Sequence, residues 1–343
     1  MRLPDLWAVS LALSLFSLLI IAALIVARLM SERRAAELQR QRARLVPMLL
    51  NGAAPPDLDG ISIGLLAEIS VDFIRMVRGD ERDAFVDTAS ALGVPAYQIR
   101  RLRRGTVHQR TQAAYALTRF PGDDVTDALS ATLTDKHPHV RFAAAMALAQ
   151  SGRAPPVRYL IDRLDLGEEE NSLLITDLFR EIAAYDPQSI EELLPQRHVA
   201  TPIKGAAIRA LSGLRGFALA PIVNSLALDM DEDNPQLPNF LRALGQFQHP
   251  AGIPAVEKCL DASISYVRAA AAQAAGQIGM EQAAGRIAEL MYDEDWWVRF
   301  RAGEALTRLG RPGVGHLREW ACMGAEPAKS AARLTLAEKG IAR

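Results

Sequence analysis

The chain repeats itself. Val140-Arg141, Val267-Arg268 and Val298-Arg299 each open a stretch that closes on glycine, at Gly152, Gly279 and Gly310. Weaker copies begin at Gln109-Arg110, Asn171-Ser172, Ile203-Lys204, Gln236-Leu237 and Ala328-Lys329. The second members of successive pairs lie 31, 31, 32, 33, 31, 31 and 30 residues apart. Self-similarity at that period marks a stacked array, in which each unit buries its apolar face only against its neighbours.

Within the period the apolar positions are helical. Three residues after the anchor stand Ala113, Ala144, Ala207, Ala271, Ala302 and Ala332. Seven after it stand Leu117, Leu148, Phe179, Leu211, Leu244, Leu306 and Leu336, and ten after it Phe120, Ile182, Leu214, Phe247, Ile278 and Leu309. Offsets of three, seven and ten share one helix face. Alanine on that face admits a close neighbouring helix, and Leu or Phe fills the groove. A breaker follows in most units: Pro121-Gly122, Gly152, Asp186-Pro187, Gly216, His249-Pro250, Gly279 and Gly310. Glycine accepts the left-handed backbone that ends a helix, and proline cannot continue one. A second apolar stretch then begins, as at 125–133, 157–164, 222–228, 255–260 and 287–292. The unit is a helical hairpin, and the expected fold class is all-α, an α-solenoid.

These residues resemble the HEAT repeat, in particular its short bacterial subclass named after phycobilisome lyases. The shared pattern is Asp, then Val-Arg, then an alanine-rich helix ending in Gly. Asp135 with Arg141, Asp261 with Arg268, and Asp293 with Arg299 carry it, and the resemblance covers residues 105–343 in about seven units. It implies a structural ladder of Asp and Arg between adjacent units. It also raises an enzymatic alternative, a lyase-like activity on phycobiliproteins, although only the repeat is matched.

Ahead of the repeats, residues 6–27 form 22 uncharged positions rich in Leu, Ile, Ala and Val. At 1.5 Å per residue a helix of that length spans roughly 30 Å of hydrocarbon. The run exceeds the apolar core of a signal peptide, and no small-x-small cleavage site precedes Ser31, so a retained single-pass transmembrane helix is expected. Arg28, Arg33, Arg34, Arg40, Arg42 and Arg44 follow it, against Arg2 alone before it. The positive-inside rule puts the repeats in the cytoplasm, under the inner membrane of a bacterium. The expected order is a tail at 1–5, the membrane helix at 6–27, a basic juxtamembrane helix at 28–50, a linker at 51–60, a divergent helical cap at 61–104 and the solenoid at 105–343. This layout looks like that of bacterial proteins associated with membrane glycosyltransferases that build exopolysaccharide.

Overall charge is −1, but residues 165–234 hold 13 acidic and 5 basic side chains. Glu191, Glu192, Asp231, Glu232 and Asp233 are candidate contacts for a basic partner, weighed against simple solvated turns. Trp296 and Trp297 are candidate anchors, since neighbouring helical residues diverge by about 100° and both cannot share a core face. Packing of both against the preceding turn is the alternative. Arg33, Arg34, Arg40, Arg100, Arg101, Arg103 and Arg104 are candidate contacts for lipid phosphates. Near-zero net charge and the lack of interleaved aromatics argue against nucleic acid. Cys259 and Cys322 have no metal spacing, and both are expected as buried thiols.

No phosphate loop, G-x-S-x-G elbow or H-E-x-x-H motif occurs, and His137 and His139 bracket Pro138 without a nearby Cys or carboxylate pair. No catalytic residue, metal or cofactor is expected. The reading is a non-catalytic, membrane-anchored scaffold for a protein partner, with a lyase-like enzyme and a lipid-surface protein as alternatives.

Overall fold

The computed structural model describes residues 62–341 apart from 77 and 168–172, together with Phe16, Ile20, Ile21, Ile25, Arg28 and Met30. The juxtamembrane helix apart from Arg28 and Met30, the linker, Arg33, Arg34, Arg40 and all but four positions of residues 6–27 lie outside this set. Among the described residues no helix is long and apolar enough to cross a membrane.

Every described element is helical. The chain divides into two compact units, residues 1–147 and 148–343. In the first unit α1 (Ile63–Met76), α2 (Asp80–Ala91) and α3 (Val94–Arg104) precede the repeats, where a divergent cap is expected. They pack on one another, and α3 also meets α4 (Val107–Leu117) and α5 (Asp123–Thr132). A Thr106–Gln109 capping box starts α4, each side chain satisfying the other's backbone N–H. The division falls inside α6 (Pro138–Gln150).

The second unit holds α7 (Val157–Leu164), α8 (Leu173–Ala183), α9 (Pro187–Glu191), α10 (Thr201–Leu228), α11 (Leu237–Phe247), α12 (Ile253–Cys259), α13 (Ser265–Ile278), α14 (Ala284–Glu289), α15 (Trp296–Arg308), α16 (Arg311–Met323) and α17 (Ala328–Glu338). One layer runs α8, α10, α11, α13, α15, α17, each packed on the next. The other contains α9, α12, α14 and α16, with the latter part of α10 joining it. Asn224 in that part accepts from the Ala255 N–H at 3.0 Å, and Leu228 O accepts from Lys258 Nζ at 3.0 Å.

The alanines at offset three and the large residues at offset seven are buried throughout. Gly122, Gly152, Gly279 and Gly310 all take positive φ and end or separate helices as expected. Gly216 does not. Residues 201–228 stay helical through it, with Pro221 inside the helix. Glycine permits a left-handed turn without compelling one, and the surrounding alanines and leucines favour helix. Leu214, at offset ten, is consequently 56% exposed, where Phe120, Ile182, Phe247 and Leu309 are buried. Cys259 is buried, but Cys322 is exposed, which corrects the expectation for the second thiol. Cys322 lies at the end of α16.

Candidate functional site

The repeat anchors come first, because they fix the register of everything exposed. Each anchor arginine reaches back to carbonyls that open its own helix. Arg110 donates to Gly105 O at 3.0 Å, Arg141 to Asp135 O at 3.2 Å, Arg268 to Ala262 O and Ser263 O at 2.8 Å, and Arg299 to Asp293 O at 2.7 Å. Arg110 and Arg268 then continue to the next unit. Arg110 pairs with Asp135 at 2.9 Å, and Arg268 grips Asp293 with Nε and Nη2 at 2.7 and 3.0 Å. The same carboxylates accept from backbone N–H groups of their own turns, at His137 and Asp295, each at 2.9 Å. One aspartate therefore caps a turn and holds the preceding unit, which fixes its position twice.

Asp261 stands outside this ladder. The ladder aspartates precede their own arginine by six residues, and that place before Arg268 belongs to Ala262. The anchor one unit earlier is Leu237, and Leu237 and Ala262 are both buried. The rung is apolar at both ends. Asp261, one residue out of register, pairs instead with Arg286 of α14 near the surface.

The acidic candidates lie on separate elements. Glu191 and Glu192 lie at the end of α9, while Asp231, Glu232 and Asp233 lie beyond α10. Glu232 is occupied: its carboxylate accepts from Ser263 N–H at 2.7 Å and Ser263 Oγ at 2.8 Å. These bonds hold its pKa below the usual carboxylate value and tie two successive turns together. Arg100, Arg101, Arg103 and Arg104 occupy the last turns of α3, where cations complement the helix dipole. Arg101 donates to Gln112 at 3.1 Å.

Trp296 and Trp297 are both outside the core, 48% and 57% exposed. Asp295 caps their helix by accepting from Trp297 N–H at 2.8 Å. Trp296 stacks on Phe300 at 5.2 Å between centroids, and Trp297 meets both rings edge-on. The Arg301 guanidinium lies 5.6 Å from the Phe300 ring and 6.0 Å from the Trp297 ring.

Beside these rings lies a basic row that the sequence reading missed. Arg209 of α10 and Arg242 of α11 occupy the solvent side of the tightly packed layer. Arg209 Nε donates to Thr176 Oγ1 at 3.2 Å. Arg242 donates to Pro238 O at 3.1 Å and Asn239 Oδ1 at 2.9 Å. Neither has a carboxylate partner among the described residues. Burial lowers both pKa values, and the neighbouring arginine adds to it, Arg242 for Arg209 and Arg301 for Arg242. Both groups stay charged at neutral pH. The sequence did hold a signal, since each arginine stands five residues after its anchor, Lys204 or Leu237, on the face opposite the core alanines.

Among the described residues no group of three or more His, Cys, Asp or Glu side chains is placed to hold a metal ion. The sequence matches HEAT repeats at residues 105–171, 226–307 and 263–337, together more than half of the chain. It matches no curated protein. Among solved structures, a Kap121p mutant aligns over 88% of this chain and 39% of its own, at 12% identity and a TM-score of 0.51. Importin beta aligns over 87% of this chain and 47% of its own, at 15% identity and a TM-score of 0.48. An engineered protein aligns over 82% and 86% respectively, at 17% identity and a TM-score of 0.39. The chain thus spans about two fifths of the Kap121p length, and the likeness is one of fold.

Proposed function

This chain belongs to the HEAT-repeat family, and we propose that it is a non-catalytic adaptor that holds a partner protein at a membrane. The observation that carries the reading is the exposed face of the tightly packed layer. There the solvent-facing side chains include Arg209 and Arg242, which have no carboxylate partner among the described residues, Arg301 paired with Glu304, and a cluster of rings. Such a face binds through charge and aromatic anchors.

The anchor is the uncharged run at residues 6–27, with its basic C-terminal flank. It places the repeats on the cytoplasmic side of a bacterial inner membrane. Tethering raises the effective concentration of a captured protein beside any membrane enzyme. An accessory role in a membrane glycosyltransferase or exopolysaccharide system fits this arrangement.

Fractionation and crosslinking test the reading together. The full chain should sediment with membranes and resist carbonate extraction, and a version lacking residues 1–50 should become soluble. Crosslinking in native membranes followed by affinity purification should recover one defined protein. Extraction of the full chain by carbonate, or recovery of no crosslinked partner, would overturn the proposal.

A further inference from the structure

We infer that the face of α10, α11, α13 and α15 binds a short, extended, acidic segment of the partner protein, with Arg209, Arg242 and Arg301 taking its carboxylates and Trp297 its apolar end. The inference rests on the adaptor reading above and names the chemistry of what is captured.

Three observations point there. First, the guanidiniums are positioned before any ligand arrives. Thr176 holds Arg209, Pro238 O and Asn239 hold Arg242, and Glu304 holds Arg301 at 2.7 Å. Arg209 keeps both terminal nitrogens uncommitted, and Arg242 keeps Nη1. Preorganised donors of this kind lose little entropy on binding a carboxylate. Second, α13 does not obstruct the row. It carries Ala269 and Gln273, both half-buried, with Tyr266 at its first turn 50% exposed. The charge of Arg301 reaches Arg242 across that helix. Third, the row ends on the Trp296–Trp297–Phe300 cluster, whose two indoles remain 48% and 57% exposed.

The dimensions select an extended strand. Neighbouring helices are about 8–10 Å apart, so α10 to α15 makes a track of about 25–30 Å. A chain rising about 3.4 Å per residue crosses it in about eight residues. Charge selects a protein segment over nucleic acid. The cations are few, Asp177 and Glu304 flank them on the same layer, and the whole chain is at −1. A phosphodiester backbone calls for a longer run of basic groups.

Fluorescence anisotropy on the full chain in nanodiscs of neutral lipid tests this. The probe is a labelled nonapeptide with three spaced glutamates and a C-terminal leucine. The wild type should bind it, and added salt should weaken the binding. R209A/R242A should lose about tenfold or more, the scale expected when charged interface partners are removed. R242E should abolish binding, and W297A should weaken it with the salt dependence retained. R197E, in the turn before α10 and outside the row, should bind as the wild type does, and circular dichroism should show the same helix content in all variants. A lysine-for-glutamate peptide should not bind. Equal binding by R209A/R242A, or tighter binding of a single-stranded oligonucleotide than of the peptide, would overturn the inference. The crosslinking experiment separates this outcome from that of the adaptor reading. If R209A/R242A still captures the partner at wild-type yield, the adaptor stands and this surface is not its site. If the wild type captures nothing yet binds the peptide through these arginines, the site stands and the adaptor reading falls.

Discussion

Gly276 of α13 lies directly against Ala305 of α15: a β-carbon on Gly276 would stand 2.5 Å from Ala305 Cα and 2.8 Å from its Cβ. Gly245 of α11 meets Ala274 of α13 in the same way, at 2.8 Å from its Cα. Glycine eight residues after one anchor thus faces alanine six residues after the next. The seam brings α11, α13 and α15 into backbone contact, and on the other side it keeps Arg242 and Arg301 within reach of one shared face.

Gly276→Val should destabilise the protein by about 1–3 kcal/mol, the usual cost of overpacking a closed core. Gly285→Ala should do the opposite. Nothing lies within 4 Å of the β-carbon it would add, and replacing a helical glycine gains about 0.5–1 kcal/mol. Urea unfolding followed by circular dichroism checks both. A neutral Gly276→Val would refute the backbone contact.

The two kinds of aspartate should separate cleanly. Asp293 is nearly buried against Arg268, with 6% of its side chain exposed, and it also holds the Asp295 N–H. Asp293→Ala strands a guanidinium and a backbone donor and should cost about 2–3 kcal/mol. Asp261→Ala loses only a surface pair, worth about 1 kcal/mol or less. Thermal unfolding of the two variants under one buffer condition decides the order.

Iodoacetamide should distinguish the thiols. Burial pushes the Cys259 pKa from 9.0 up to about 11, so at pH 8 it remains a thiol inside the core. Cys322 is exposed and should be alkylated first, with mass spectrometry of peptides as the readout. The raised value also sets a sign for stability. The folded state favours the neutral thiol, so its contribution is complete below about pH 9 and is lost as pH rises toward about 11. Cys259→Ala should flatten that part of the stability profile.

Lys204 occupies an anchor position but is 8% exposed and has no ion-pair partner among the described residues. Desolvation lowers its pKa. A lysine with a lowered folded pKa opposes folding while the unfolded chain stays protonated, and the penalty fades as pH rises toward the ordinary value of 10.5. Lys204→Met should raise the midpoint of thermal unfolding at pH 7 and reduce the gain seen between pH 7 and 10. A lower midpoint for Lys204→Met would show that the ammonium is paired.

Much of the fold was legible because its causes are local. A period near 31 residues, alanines at offset three and glycines at helix ends each state a steric requirement that holds wherever the repeat occurs. The failures were also local in origin. Gly216 carries no obligation to turn. Asp261 sits one residue away from the place that a ladder demands, which the composition of the motif conceals. The candidate site was least legible. The acidic clusters attracted attention because they are contiguous in sequence, yet Glu232 is spent on Ser263 and the rest lie on separate elements.

The sequence by itself determined that this chain stacks paired helices, since each unit carries an apolar face that water alone cannot satisfy. Only the tertiary structure decided which charges share a surface. Arg209, Arg242 and Arg301 come from three different units, and Arg301 stands at another offset from its anchor. Arg242 and Arg301 share a face because glycine and alanine let α11, α13 and α15 approach closely. Proximity across such a seam depends on helix spacing and side-chain size together, and no single stretch of sequence contains both.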